Sequence, residues 1–389
     1  MRTGFYFFLL LLSSVSFSQK KATFLAKLPF TKHSGGVVMI NAQLSGIPDT
    51  LTFILDTGSG GVSVDSSLCA NNRLLLTEGD TIVLGIGGSE AIPMVLHQNL
   101  FVSSLEIKNL DFRVYNYSAL SEIYGTQIDG VLGYDFFSKY IININYDDQT
   151  VEILSKGNIK YPSGGFILHT GNNTLPINKT ELKGKRKIVF PLFLDTGAGL
   201  PLLLNDNFVK DSSLFNANKK VFTTRAAGFG GKKQVLETVI KKVKIGPYSF
   251  YNVPTFMFND NEHITQYPYS GGLLGSELLQ KFNIIINYEK KEFFLKPNSQ
   301  FDAPFDYGYS GAILIVRNNK IIVEDVVEKS PAAISGINVG DEIIGVDNNL
   351  TGDLEAVKLL FQDYHRQHFV IIKRYGELMS FTLQPISIL

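Results

Sequence analysis

The tightest constraint on this chain is a seven-residue stretch that occurs twice. Phe53-Ile54-Leu55-Asp56-Thr57-Gly58-Ser59 is echoed by Leu192-Phe193-Leu194-Asp195-Thr196-Gly197-Ala198. In each copy a short apolar run reads as a buried strand that ends in a carboxylate, a hydroxyl and a glycine. A charge at the end of a buried strand is costly unless it has a partner or a task. The glycine has no Cβ, so a second group can come close to the backbone there.

One Asp-Thr-Gly tripeptide means little, because turns after strands are rich in all three residues. Here the copying extends much further. Gly85-Ile86-Gly87-Gly88 follows the first copy and Gly228-Phe229-Gly230-Gly231 the second. Gly130-Val131-Leu132-Gly133 is matched by Gly272-Leu273-Leu274-Gly275, and Ile142, Ile144, Asn145 and Tyr146 by Ile284, Ile286, Asn287 and Tyr288. The offsets are 139, 143 and 142 residues, so spacing is held almost fixed. The chain is internally duplicated. Two small, mostly β units of one plan are expected to pack around a pseudo-two-fold axis, with a cleft between them.

An apolar strand into Asp-Thr-Gly-Ser/Ala, a glycine-rich hairpin, then two apolar residues and glycine together resemble the aspartic peptidases. Each repeat resembles a retropepsin-like lobe, and the pair resembles the single-chain, two-lobed arrangement of pepsin, over roughly residues 28 to 296. The lobes are short, have no paired cysteines, and each carry a glycine-rich flap candidate, as in the retroviral dimer. The resemblance implies that Asp56 and Asp195 are catalytic. Thr57 and Thr196 would hydrogen-bond across the lobe interface, with Gly58 and Gly197 permitting the close approach. Ser59 and Ala198 complete the two loops. In the family the residue at that position can donate to its own aspartate; only Ser59 has a hydroxyl, so the charge is expected on Asp56 and the proton on Asp195. Gly85, Gly87, Gly88, Gly228, Gly230 and Gly231 would form flaps over an extended peptide.

The chemistry suits such a pair. Like charges at close range cannot both stay ionised, so two carboxyls share one proton. The ionised member takes a proton from water while the protonated member polarises the scissile carbonyl. This needs neither metal nor cofactor, and none is expected.

Composition narrows the partners. Lys plus Arg and Asp plus Glu both number 36, so no global field attracts nucleic acid or an anionic membrane. The single Cys69 excludes an intramolecular disulfide and reads as a small buried hydrophobe. His365 and His368 read as a solvated helix face, not a metal site.

Residues 1–18 read as a secretory signal peptide: Arg2, an apolar run from Phe5 to Leu12, then Ser13 to Ser18. The apolar run is shorter than the roughly 20 residues that span a bilayer. An exported protein, periplasmic or secreted, with no membrane anchor in its mature form is expected. Residues 19–157 and 158–297 then form the two lobes, joined through a polar segment with Pro162, Gly164 and Gly165.

Beyond residue 297 the pattern changes to a domain at 305–389. Ser330-Pro331-Ala332-Ala333-Ile334-Ser335-Gly336 and the following Gly340-Asp341-Glu342-Ile343-Ile344 are similar to the signature of bacterial PDZ domains. Pro331 would start a short helix, where its missing N–H costs nothing. Asp353 to Tyr364 reads as the long helix, and Phe369 to Arg374 with Leu378 to Leu383 as closing strands. The candidate carboxylate-binding loop is Gly308-Tyr309-Ser310-Gly311, which lacks the usual Gly-Leu-Gly-Phe form. Such domains take an extended C-terminal peptide as an added strand. The chain itself ends Ser387-Ile388-Leu389, so its own tail is a candidate competitor.

The expected fold is therefore mainly β, with two pseudo-symmetric aspartic-peptidase lobes followed by a small α+β PDZ domain. The expected function is an aspartic endopeptidase acting on protein or peptide substrates, as a monomer, with the PDZ domain recruiting C-termini. The alternative is an inactive peptidase-like scaffold that works as a PDZ adaptor.

Overall fold

The computed structural model describes residues 20–79, 81–85, 88–171, 174–228, 231–260, 264–350 and 352–388. The leader at 1–18, the flap residues Gly87 and Gly230, and Leu389 lie outside these. The architecture is mainly β, in two six-strand barrels followed by a five-stranded sheet.

The first barrel follows from apolar alternation. Val38–Leu44 turns its even-numbered residues inward beyond Met39, and Leu51–Leu55 is buried along almost its whole length. These strands continue through Gly130–Leu132, Val62–Asp65, Leu105–Tyr115 and Met94–Val102, and the last pairs back onto the first. The second barrel repeats the order with Ile177–Lys183, Lys187–Leu194, Gly272–Leu274, Leu202–Asn205, Tyr248–Phe258 and Gly231–Ile245. Closure removes the exposed strand edges that an open sheet would leave.

A separate six-stranded sheet joins the barrels. Its order is Phe24–Pro29, Thr150–Ser155, Tyr140–Asn145, Phe282–Asn287, Glu292–Pro297 and Phe166–His169. The two central strands are the repeated Ile-x-Ile segments, paired antiparallel with Asn143 opposite Ile285. Those two residues occupy equivalent places in the two repeats. The pseudo-dyad therefore passes through that pair, as an isologous contact requires. Ile142, Ile144, Ile284 and Ile286 are fully buried beneath it and merge the two cores into one. A shared apolar core of this kind holds the two lobes in one fixed relation.

The C-terminal sheet runs Ala312–Arg317, Lys320–Val326, Glu342–Val346, His368–Arg374 and Glu377–Leu383. It has its own core of Leu314, Val323, Ile337, Val346, Val357, Phe361, Val370 and Ile372. Pro331–Ser335 starts on Ser330, whose hydroxyl accepts from the Ala333 amide. Leu354–Gln362 starts on Asp353, whose carboxylate accepts from Glu355 and Ala356. His368 departs from expectation: it opens a strand and is fully buried. Its ring bonds Asp347 Oδ2 at 2.9 Å and the Asp363 carbonyl at 3.1 Å, which offsets the cost of burial. Cys69 is buried, as expected of a small hydrophobe. Among the described residues no helix is long and apolar enough to cross a membrane.

Candidate active site

Each Asp-Thr-Gly triplet begins where its strand ends, and the repeated Gly-x-x-Gly segment holds it there. Gly130–Leu132 runs parallel to Leu51–Leu55, and the Asp56 amide donates to the Leu132 carbonyl at 3.0 Å. In the second lobe the Asp195 amide donates to the Leu274 carbonyl at 2.9 Å. Gly133 and Gly275 lie against the carbonyls of Ser59 and Ala198, where a Cβ would collide. That explains the glycine closing each repeat.

The two loops meet at the dyad through a reciprocal set of bonds. Thr57 Oγ1 donates to the Leu194 carbonyl at 2.7 Å, and Thr196 Oγ1 donates to the Leu55 carbonyl at 2.8 Å. Each hydroxyl also accepts the other threonine's amide at 3.1 Å. Both threonines are wholly buried, and these four bonds satisfy both hydroxyls and both amides. A Cβ on Gly58 would overlap the Asp195 carboxylate, and one on Gly197 the Asp56 carboxylate. The glycines are what allow the carboxyl groups to face each other.

The carboxyls hydrogen-bond to one another. Burial, the neighbouring Asp195 charge and that hydrogen bond push Asp56 well above the ordinary carboxyl range. Burial also raises Asp195, opposed by the hydrogen bond from Asp56 and by two amides. Those amides are Gly197 and Ala198, donating to Asp195 Oδ1 at 2.9 and 3.0 Å. Asp56 Oδ1 accepts from the Gly58 amide at 2.7 Å. The expected role of Ser59 does not hold, because its hydroxyl donates to the Gly61 carbonyl at 3.1 Å. Burial raises both carboxyls, so the pair holds one proton between them.

The two glycine-rich hairpins differ in form. Among the described residues Thr81–Gly85 and Gly88–Ile92 form a two-stranded sheet, with Gly85 opposite Gly88. Phe222–Gly228 instead pairs with the first half of the 15-residue strand Gly231–Ile245, with Gly228 opposite Gly231. The second half of that strand belongs to the barrel wall.

Several residues near the site carry no sequence signal of their own. Gly35 takes a left-handed φ of 71° and lies against the Gly199 carbonyl, just past the second triplet. Ser276 Oγ lies 2.7 and 2.8 Å from the Gly35 and Ala198 carbonyls, which share its one proton and tie the lobes together. The Tyr124 hydroxyl sits near Gly199, and burial raises its pKa, followed by the charges of Glu355, Asp56 and Asp195. A Gly-Gly pair and one tyrosine among 17 do not stand out in a sequence.

In the C-terminal domain the Gly308–Gly311 segment forms a turn, with the Gly311 amide donating to the Gly308 carbonyl at 2.8 Å. Tyr309 stacks on Tyr364 with ring centres 4.8 Å apart, and Ser310 is buried. The chain's own tail lies on this turn. The Ile386 amide donates to the Tyr309 carbonyl at 2.9 Å, and the Ile388 side chain meets Gly308. A cavity of about 610 Å³ beside it is lined by Tyr307, Tyr309, Tyr364 and Ile386.

Two barrels about a dyad, with paired aspartates on reciprocally bonded threonine loops, define a two-lobed aspartic-peptidase architecture. The chain carries an aspartyl protease domain and a PDZ domain: it matches the aspartyl protease family over residues 40–136 and the PDZ domain family over residues 301–361. The first match spans the first Asp-Thr-Gly loop and the Gly130–Gly133 segment. No curated protein matches the chain.

Proposed function

We propose that the protein is an aspartic endopeptidase in which Asp56 and Asp195 activate one water for attack on a peptide bond. The observation that carries this reading is the close approach of the two half-buried carboxyls at the dyad, held by the Thr57 and Thr196 bonds. A pair sharing one proton offers a base and an acid side by side, which direct hydrolysis of an amide needs. We assign the charge, and with it the role of base, to Asp195, whose Oδ1 accepts from two amides. Asp56, holding the proton, would polarise the scissile carbonyl. The hairpins at 81–92 and 222–245 would exclude water and offer backbone groups to an extended substrate.

The PDZ domain confers a capacity to bind peptides. We assign it the recruitment of protein C-termini toward the cleft. The leader composition of residues 1–18 supports export, and the substrates would then lie outside the cytoplasm.

Purified mature protein should cut an unstructured protein such as casein, and a hydroxyl-containing statine-type inhibitor should block the cleavage. Intact casein after prolonged incubation across pH 3 to 8 would reject the peptidase reading and leave an adaptor built on a peptidase scaffold.

A further inference from the structure

The PDZ sheet has one edge strand, Ala312–Arg317, that lies beside the long helix Leu354–Gln362. An edge strand offers unpaired N–H and C=O groups, which is why extended peptides add to such edges. Here lobe one already covers that place. The helix Ser118–Tyr124 packs against the edge strand, and its end reaches between strand and long helix. A Cβ on Gly125 would stand 3.1 Å from both Val316 Cγ2 and Leu354 Cδ2. That contact is already close, and Gly125 holds a φ of 66°.

The contact is polar as well as apolar. Arg317 grips Glu122 through two parallel bonds, Nε to Oε1 and Nη2 to Oε2, both 2.9 Å. Lys358 Nζ donates to the Ile123 carbonyl at 2.7 Å, and Ser34 Oγ donates to Glu355 Oε2 at 2.6 Å. The PDZ strand Lys320–Val326 holds the lobe-two hairpin too. Lys232 pairs with Glu324, and Arg225 Nε lies 3.6 Å from Asp325 Oδ2.

Two of these contacts lead directly to the aspartates. Tyr124 precedes Gly125 and reaches Gly199, while Ser34 precedes Gly35, which lies on the Gly199 carbonyl. Gly199 is four residues beyond Asp195. A movement of either segment away from the PDZ domain therefore reaches the second Asp-Thr-Gly loop.

We propose that Glu122–Gly125 is a built-in occupant of the PDZ groove, and that an incoming peptide binds by displacing it. The peptide edge is closed in cis, and its affinity for an external peptide is lowered by the fraction of time the groove is filled. Displacement releases Tyr124 from Gly199, so peptide capture and the cleft are coupled in both directions. The consequence for catalysis rests on the peptidase reading, whereas the displacement itself does not.

The test uses the full mature chain, with and without Glu122→Arg, Arg317→Glu and the two together. The probe is a fluorescein-labelled peptide ending in the chain's own Gln384–Leu389 sequence, followed by anisotropy. The covalent tail is common to all four proteins and scales their affinities alike. Each single reversal should tighten binding about fivefold, and the double reversal should return it toward the starting value. Saturating peptide should also speed amide exchange across residues 118–125 of the unaltered protein. Equal binding by all four proteins, or binding by none, overturns the proposal, as does unchanged exchange at 118–125. If the probe behaves as stated while casein stays intact, the peptidase reading fails and the displacement stands.

Discussion

The two lobes are nearly interchangeable at the dyad and unlike at the rim. At the centre every bond of Thr57 has its counterpart in Thr196, and Gly58 and Gly197 face opposite carboxyls in the same way. At the rim, Thr81–Gly85 and Gly88–Ile92 of lobe one form, among the described residues, a two-stranded sheet. The lobe-two hairpin grows out of a barrel strand and is pinned to the PDZ domain through Lys232 and Arg225. The difference separates what the chemistry needs from what access needs. Sharing a proton demands symmetry of position, whereas admitting substrate requires only that one side can move.

The symmetric centre can be attacked first. Gly58→Ala and Gly197→Ala each force a methyl group onto the opposite carboxylate. Each should lower kcat/KM at least about a hundredfold, by similar factors, because displaced catalytic groups lose rate steeply. A large effect in one variant and a small one in the other would show that the two loops are not equivalent.

The next largest effect lies on the unlike side. Burial, with the charge of Asp306 adding to it, raises Glu237 of lobe two to about 8. The matching lobe-one strand, Met94–Val102, buries Val95, Leu100 and Val102. A carboxyl raised in the folded state binds more protons there than in the unfolded chain. Its contribution is therefore fully favourable below the unfolded value near 4.5 and is lost as pH rises toward 8. Glu237→Gln should flatten the fall in stability between pH 5 and 8 by on the order of 2–3 kcal/mol. Part of the slope should remain, from the proton shared by Asp56 and Asp195. An unchanged slope in urea unfolding at the two pH values would contradict the assignment.

Thr57→Val and Thr196→Val probe the dyad more gently. Each removes a hydroxyl that both donates and accepts in a dry interface, so each should cost about 1–3 kcal/mol. Symmetry predicts equal losses in urea melts. The smallest effect concerns motion at the rim. Amides of Thr81–Gly85 and Gly88–Ile92 should exchange faster than those of Phe222–Gly228, since the second hairpin extends a barrel strand and carries ion pairs to the PDZ domain. Equal protection would erase the distinction between the two hairpins.

Much of the centre could be read in the sequence because duplication repeats local signals. Each copy of Asp-Thr-Gly sits on an apolar strand, and each Gly-x-x-Gly closes a loop, so spacing alone paired them. The sheet that joins the lobes was less visible. Ile142 and Ile286 read as strand residues, but their pairing links segments far apart in the chain and leaves no local pattern. The Arg317–Glu122 contact is similarly silent, since two surface charges 195 residues apart look like any solvated pair. Ser59 misled for another reason. A hydroxyl beside a carboxylate suggests a bond, yet the Gly61 carbonyl lies within its reach and takes it. His368 misled because three-residue spacing suggests a helix, whereas Asp347 and Asp363 draw it into a buried strand end.

The central claim is that Asp56 and Asp195 act as one unit, and single replacement of each tests it most directly. Asp56→Asn and Asp195→Asn keep the shape of the side chain while removing the shared proton. Both purified variants should fold as the parent does, by circular dichroism and thermal melt, and both should lose casein hydrolysis by at least about a thousandfold. Substantial turnover by either folded variant would contradict the account, because one carboxyl would then suffice.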